Sequence, residues 1–73
     1  MRIAYDAETD VLTLILREGP ARDSVEGRAG EVLDYDAEGR LVAIEILDAS
    51  RKVEGVDVVQ LQVTPKPVAA AAE

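Results

Sequence analysis

The chain has 73 residues, with 15 acids against 8 bases, a net charge of −7, and neither cysteine nor histidine. That composition excludes a disulfide framework and thiolate chemistry, and removes the commonest general base and transition-metal ligand. It also lacks the basic footprint of a phosphate-backbone binder, so nucleic acid is not an expected partner, although Arg17, Arg22 and Arg28 offer a local basic edge.

A chain of this length makes one small domain, and a single core of that size is marginal without a staple or a partner. No run approaches the ~18 apolar residues of a membrane span. Acids lie within the first ten residues, which does not read as a signal peptide, and a cytoplasmic location is expected. Phe and Trp are absent, so the core must be built from Leu, Ile, Val and Ala with two tyrosines.

In chain order, Met1 to Tyr5 reads as a short strand, predicted over 2–5. Asp6 to Asp10 is a polar turn. Val11 to Arg17 is the second strand, with Leu12, Leu14 and Leu16 on one face and Val11, Thr13 and Ile15 on the other. Glu18-Gly19-Pro20-Ala21 breaks the chain, because Gly and Pro do not continue a ladder. Arg22 to Gly27 can make a short polar edge strand. A strand over 29–35 leads into Asp36-Ala37-Glu38-Gly39, where the Asp36 side chain can bond the backbone two residues on. Gly39 there supplies the left-handed residue that closes a type I turn with a bulge. Residues 40–47 form the next strand, with Val42, Ile44 and Ile46 on one face and Leu41, Ala43, Glu45 and Leu47 on the other. Asp48-Ala49-Ser50 brings capping side chains to a short helical turn near 49–54, with Gly55 as its stop. Asp57 to Thr64 alternates again and reads as a fifth, C-terminal strand. The fold class is therefore mainly β, either all-β or α+β: a small antiparallel sheet of two β-hairpins within one domain over 1–64. A Pro/Ala-rich tail over 65–73 is expected to be disordered.

The two hairpins share a plan. Tyr5 to Leu16 precedes Tyr35 to Ile46 by 30 residues, the tetrapeptide Tyr-Asp-Ala-Glu is identical in both, and the apolar positions then nearly coincide. Their apolar faces supply Leu12, Leu14, Leu16, Val42, Ile44 and Ile46. Full burial contributes about 1.5–3 kcal/mol for each such side chain, so roughly 9–18 kcal/mol together. That is comparable to the whole net stability of a domain. No helix-period run in the chain is long enough to cover them, and these six are the expected interface of a homodimer.

The strand into Tyr5-Asp6-Ala7-Glu8, the strand Leu12 to Leu16, Arg17-Glu18-Gly19, the run Val32 to Asp36 with Gly39, and Ile44-Glu45-Ile46-Leu47-Asp48-Ala49-Ser50 carry a family resemblance. Over about its first fifty residues the chain resembles the bacterial family known as domain of unknown function 2283. Ala43 stands where that family often has glycine, and Arg51 to Gly55 departs from the clearer helix that members often have next. The resemblance implies a small single-domain bacterial protein of unassigned function. Some members look like antitoxin halves of toxin–antitoxin pairs. It brings no catalytic residues.

Several side chains suggest chemistry and each has a plainer reading. Asp34, Asp36, Glu38, Gly39 and Glu45 fall at positions 1, 3, 5, 6 and 12 of a calcium-loop pattern, with Leu41 at position 8. Such a loop needs flanking helices, and these flanks have strand period, so no metal site is expected. The carboxylates of Asp6, Glu8, Asp34, Asp36 and Glu38 suit turn formation better than acid–base catalysis. Ser24 and Ser50 have no histidine to activate them, and Lys52 and Lys66 lie in polar surroundings. Glu45 is expected to face water or to pair with an arginine across strands. Tyr5 and Tyr35 are expected to pack with their hydroxyls at the sheet rim. No enzyme activity and no cofactor is expected. The chain reads as a dimerising interaction module whose acidity suits a basic protein partner, with small-molecule or metal binding at the acidic turns as the alternative.

Overall fold

The computed structural model describes residues 1–67; the tail expected to be disordered lies, from residue 68 on, outside the described residues. Period-two apolar runs punctuated by Asp- and Gly-bearing turns become β1 (Arg2–Asp6), β2 (Val11–Ile15), β3 (Asp23–Glu26), β4 (Glu31–Tyr35) and β5 (Leu41–Leu47), followed by α1 (Ala49–Lys52). All pairings are antiparallel in one open sheet of order β1-β2-β5-β4-β3. The central ladder joins the two hairpins, with Leu12 opposite Ile46 and Leu14 opposite Ile44.

That register gives the 30-residue similarity a geometric meaning. A shift of 30 carries Leu14 onto Ile44, which is also its partner across the ladder. The same shift carries the Ile3–Leu14 pair of β1 and β2 onto the Leu33–Ile44 pair of β4 and β5. The two hairpins are thus related by an approximate two-fold axis through the Leu14–Ile44 pair. The relation fails at the second turn, where the register shifts between Asp34 and Tyr35.

The C-terminal strand expected over Asp57–Thr64 does not form. The fifth strand is instead Asp23–Glu26, the polar edge stretch. Locality explains the difference. Glu26 joins Glu31 through a tight turn in which the Gly27 amide donates to the Glu31 carbonyl at 2.9 Å and the Gly30 amide donates to Glu26 Oε2 at 2.8 Å. Closing that short loop costs little entropy, whereas Asp57–Thr64 has no sheet edge next to it in sequence. Two other boundaries move for local reasons. The strand expected from residue 29 starts at Glu31, because Gly30 turns with φ 79°. The strand expected to reach residue 17 ends at Ile15, and the Leu16 and Arg17 amides both donate to the Val42 carbonyl.

The hairpin turns close differently. In the second, the Gly39 amide donates to the Asp36 carbonyl at 3.0 Å and Gly39 has φ 80°, as its position demands. In the first, the left-handed residue is Asp10, with φ 58°, and not Thr9, the sequence counterpart of Gly39. Asp is one of the few residues besides glycine that enter that region, because its side chain is short and polar. A Cβ at Gly39 would meet nothing within 4 Å, so a substitution there is penalised by backbone strain alone. Gly39→Val is expected to cost about 1–2 kcal/mol, while Thr9→Val should stay within about 0.5 kcal/mol. Urea unfolding of the two variants measures both; equal losses would contradict the turn assignment.

Candidate functional site

One face of the sheet is apolar across its width. Ile3, Leu14, Ile44, Leu33 and Val25 stand in a single cross-strand row over all five strands. The six side chains expected at an interface lie on this face. Leu12 and Val42 are buried, and Leu14, Leu16, Ile44 and Ile46 are half-buried. At the two ends of the row, Ile3 is 40% exposed and Val25 52%. Part of the β1–β2 half is met by the stretch after α1, where Val53, Val56, Val58 and Val59 border a groove with Ile3, Leu12 and Leu14. No helix or strand of the described residues is layered on either face.

The helix is held by a residue from outside its own segment. Asp48 stands at the N-cap with φ 55° and makes no side-chain cap bond, contrary to its expected role. Asp10, from the first hairpin turn, does that work. Its Oδ1 accepts from the Ser50 amide at 2.9 Å and its Oδ2 from the Ser50 hydroxyl at 2.7 Å. Its carbonyl accepts from the Ala49 amide at 3.0 Å. The Tyr5 hydroxyl donates to Oδ1 at 2.7 Å, which is where that rim hydroxyl goes. The Ser50 hydroxyl bond, the Tyr5 bond and the Ser50 amide bond hold Asp10 below the usual carboxylate range. The bond to Asp10 in turn pushes the Tyr5 phenol up. At the helix's other end, the Lys52 ammonium donates to the Ala29 carbonyl at 2.7 Å. A side chain at Gly30 would run into that ammonium.

The opposite face carries the sheet's unusual polar group. Asp34 is only 6% exposed, and its Oδ1 accepts from the Ser24 hydroxyl across β3. Ala43 stands opposite Asp34 and Val32 opposite Glu45, so the two acids meet diagonally. Glu45 is half-exposed to water, as expected, with an acid rather than an arginine as its cross-strand neighbour. The hydrogen bond to Asp34, then burial, then the Asp34 charge push the Glu45 carboxyl above its usual range. As pH falls, Glu45 takes up a proton earlier than an ordinary glutamate and donates it to Asp34.

The other tempting acids are occupied by their own turns. Asp36 Oδ1 accepts from the Glu38 amide at 3.0 Å and the Arg40 amide at 2.8 Å, and Oδ2 accepts from Arg40 Nε at 2.9 Å. The Arg40 amide bond leads the interactions that hold Asp36 below the usual carboxylate range. Asp6 Oδ1 accepts from the Glu8 amide at 2.9 Å. The calcium-loop residues are thus divided, with Asp34 and Glu45 on the sheet face and Asp36 and Glu38 bound to Arg40. Among the described residues no three Asp, Glu, His or Cys side chains converge as a metal cage would need.

A family model described as a protein of unknown function, DUF2283, matches residues 2–50. The chain belongs to this family. No curated protein and no solved structure matches it. The matched DUF2283 span takes in all five strands and ends at Ser50, the residue that Asp10 caps, so the Asp10–Ser50 link lies within it. The stretch that borders the apolar groove, from Val53 on, lies outside it. No helix of the described residues is long and apolar enough to cross a membrane.

The pH dependence of stability follows from these carboxyls. Asp10 and Asp36 have lowered values, so their contribution is present above the ordinary Asp value of about 3.9 and is lost as pH falls through their folded values. Glu45 has a raised value, so its contribution is present below the ordinary Glu value and is lost as pH rises through the folded one. Stability should peak in the mildly acidic range between those limits. Glu45→Gln keeps a donor to Asp34 and removes the charge. With the screening of a half-exposed carboxyl it is expected to stabilise the neutral-pH protein by no more than about 0.5 kcal/mol and to abolish the decline on the alkaline side. Thermal melts of both proteins from pH 4 to 8 measure this; parallel curves would contradict the Asp34–Glu45 pairing.

Proposed function

We propose that this DUF2283 chain is an interaction module that works as a homodimer through its apolar sheet face, and is not an enzyme. The observation that supports it is the single-layer sheet. An apolar face must be buried against another layer, and among the described residues the chain supplies only the stretch after α1. The hydroxyls that a nucleophile reading would need are engaged, Ser24 with Asp34 and Ser50 with Asp10. The acidic turns are filled by their own backbone and Arg40, which weakens the alternative of a ligand or metal site there. The net charge of −7 supports a basic protein as a further partner, the relation an antitoxin has to a basic toxin.

Ile44 sits at the centre of the apolar row, and a carboxylate placed there would be buried unpaired in the dimer. Light scattering of wild type and Ile44→Asp at matched concentrations is the test. The wild type is expected to have twice the chain mass and the variant to be monomeric or insoluble. A wild type that stays monomeric at tens of micromolar would sink the proposal.

A further inference from the structure

The outer edge of β1 has no ladder partner among the described residues, since Arg2–Asp6 pair with β2 alone. The two-fold relation makes this informative. It carries β1 onto β4, and the outer edge of β4 is occupied by β3. The sheet therefore has a strand site beside β1 that the first half of the chain leaves open.

The chain also has a strand without a sheet. Val58 to Pro65 is its longest uncharged run, and Val59, Leu61 and Val63 alternate with Gln60, Gln62 and Thr64. Val58, Val59, Leu61 and Val63 are 67%, 60%, 78% and 74% exposed. Among the described residues this run's main chain is held only at its start, where the Val58 amide donates to the Gly55 carbonyl. A free edge and a free alternating segment are the two halves of a strand addition.

We propose that residues 57–63 of one copy add as a strand to β1 of a second copy, reciprocally. This rests on the dimer reading above and specifies how that dimer is joined. Two observations favour a second copy as the occupant. The chain's own Val56, Val58, Val59 and Gln60 border a groove over the apolar face with Ile3, Leu12 and Leu14, and they make no ladder with β1. Two copies at −7 each repel, so the contact needs uncharged segments, and this run is the longest. In that position Val59, Leu61 and Val63 continue the apolar row outward past Ile3.

The double variant Gln60→Pro/Leu61→Pro tests this. Adjacent prolines remove an N–H from both sides of the strand, so they block a ladder in either register while keeping the segment uncharged. Light scattering is combined with hydrogen exchange at the β1 amides. Wild type is expected to be dimeric with protected outward amides in β1. The variant should dimerise at least tenfold more weakly, with the β1 edge unprotected and an unchanged far-UV spectrum. A variant that dimerises like wild type would overturn the exchange and leave the face-burying dimer standing. A monomeric wild type would overturn both, and protected β1 amides in such a monomer would show the segment closing on its own sheet. Because the chain has no cysteine, mixing an Arg2→Cys chain with a Leu61→Cys chain and a short bismaleimide gives a second readout. A cross-linked pair supports the exchange, and its absence counts against it even if the proline variant fails to fold.

Discussion

Leu14 and Ile44 face each other across the ladder that joins β2 to β5, and the rest of the sheet is arranged around that contact. Each hairpin is built from local signals, an Asp that bonds its own turn and a left-handed residue that closes it. Neither hairpin would be stable alone, since two strands bury too little. Joining them edge to edge puts Leu12, Leu14, Val42, Ile44 and Ile46 on one side of a four-strand unit. β3 then extends it by one polar strand. The two-fold relation follows from the antiparallel joining of two hairpins of one plan.

Charge is handled locally as well. In a chain of net charge −7, Asp6 and Asp36 are drawn into their own turns, and Asp10 is spent on capping a helix 40 residues away in sequence. Asp10 gathers Tyr5, Ala49 and Ser50 and so fixes where α1 begins. That in turn sends the following residues back over the β1–β2 half of the apolar face. The Asp34–Glu45 pair is the exception, two acids brought together on one diagonal of the sheet.

Much of this was legible in the residues. The period-two runs place β1, β2, β4 and β5, and Asp36 with Gly39 gives the second turn its closure. The side of the sheet that carries Leu12, Leu14, Leu16, Val42, Ile44 and Ile46 was legible for the same reason, since alternation fixes the face. Other features depend on register or on distant contacts and left no local signal. Asp34 and Glu45 read as separate surface acids until the β4–β5 register puts them on one diagonal. Asp10 carries the turn's left-handed conformation and the helix cap because of contacts with Tyr5 and Ser50, not because of its neighbours. Asp57–Thr64 has a strand's alternation, but alternation alone does not pair a strand: Asp23–Glu26 occupies the edge of β4, and the run makes no ladder with the open edge of β1.

The central claim is that this sheet completes its burial against a second copy of itself. Thermal unfolding over a hundredfold range of chain concentration tests it most directly, because a dimer that unfolds to separated chains gains stability by mass action. The midpoint is expected to rise steadily with concentration at mildly acidic and neutral pH alike. A midpoint independent of concentration, with full cooperativity, would show that the single chain covers its own apolar face and would contradict it.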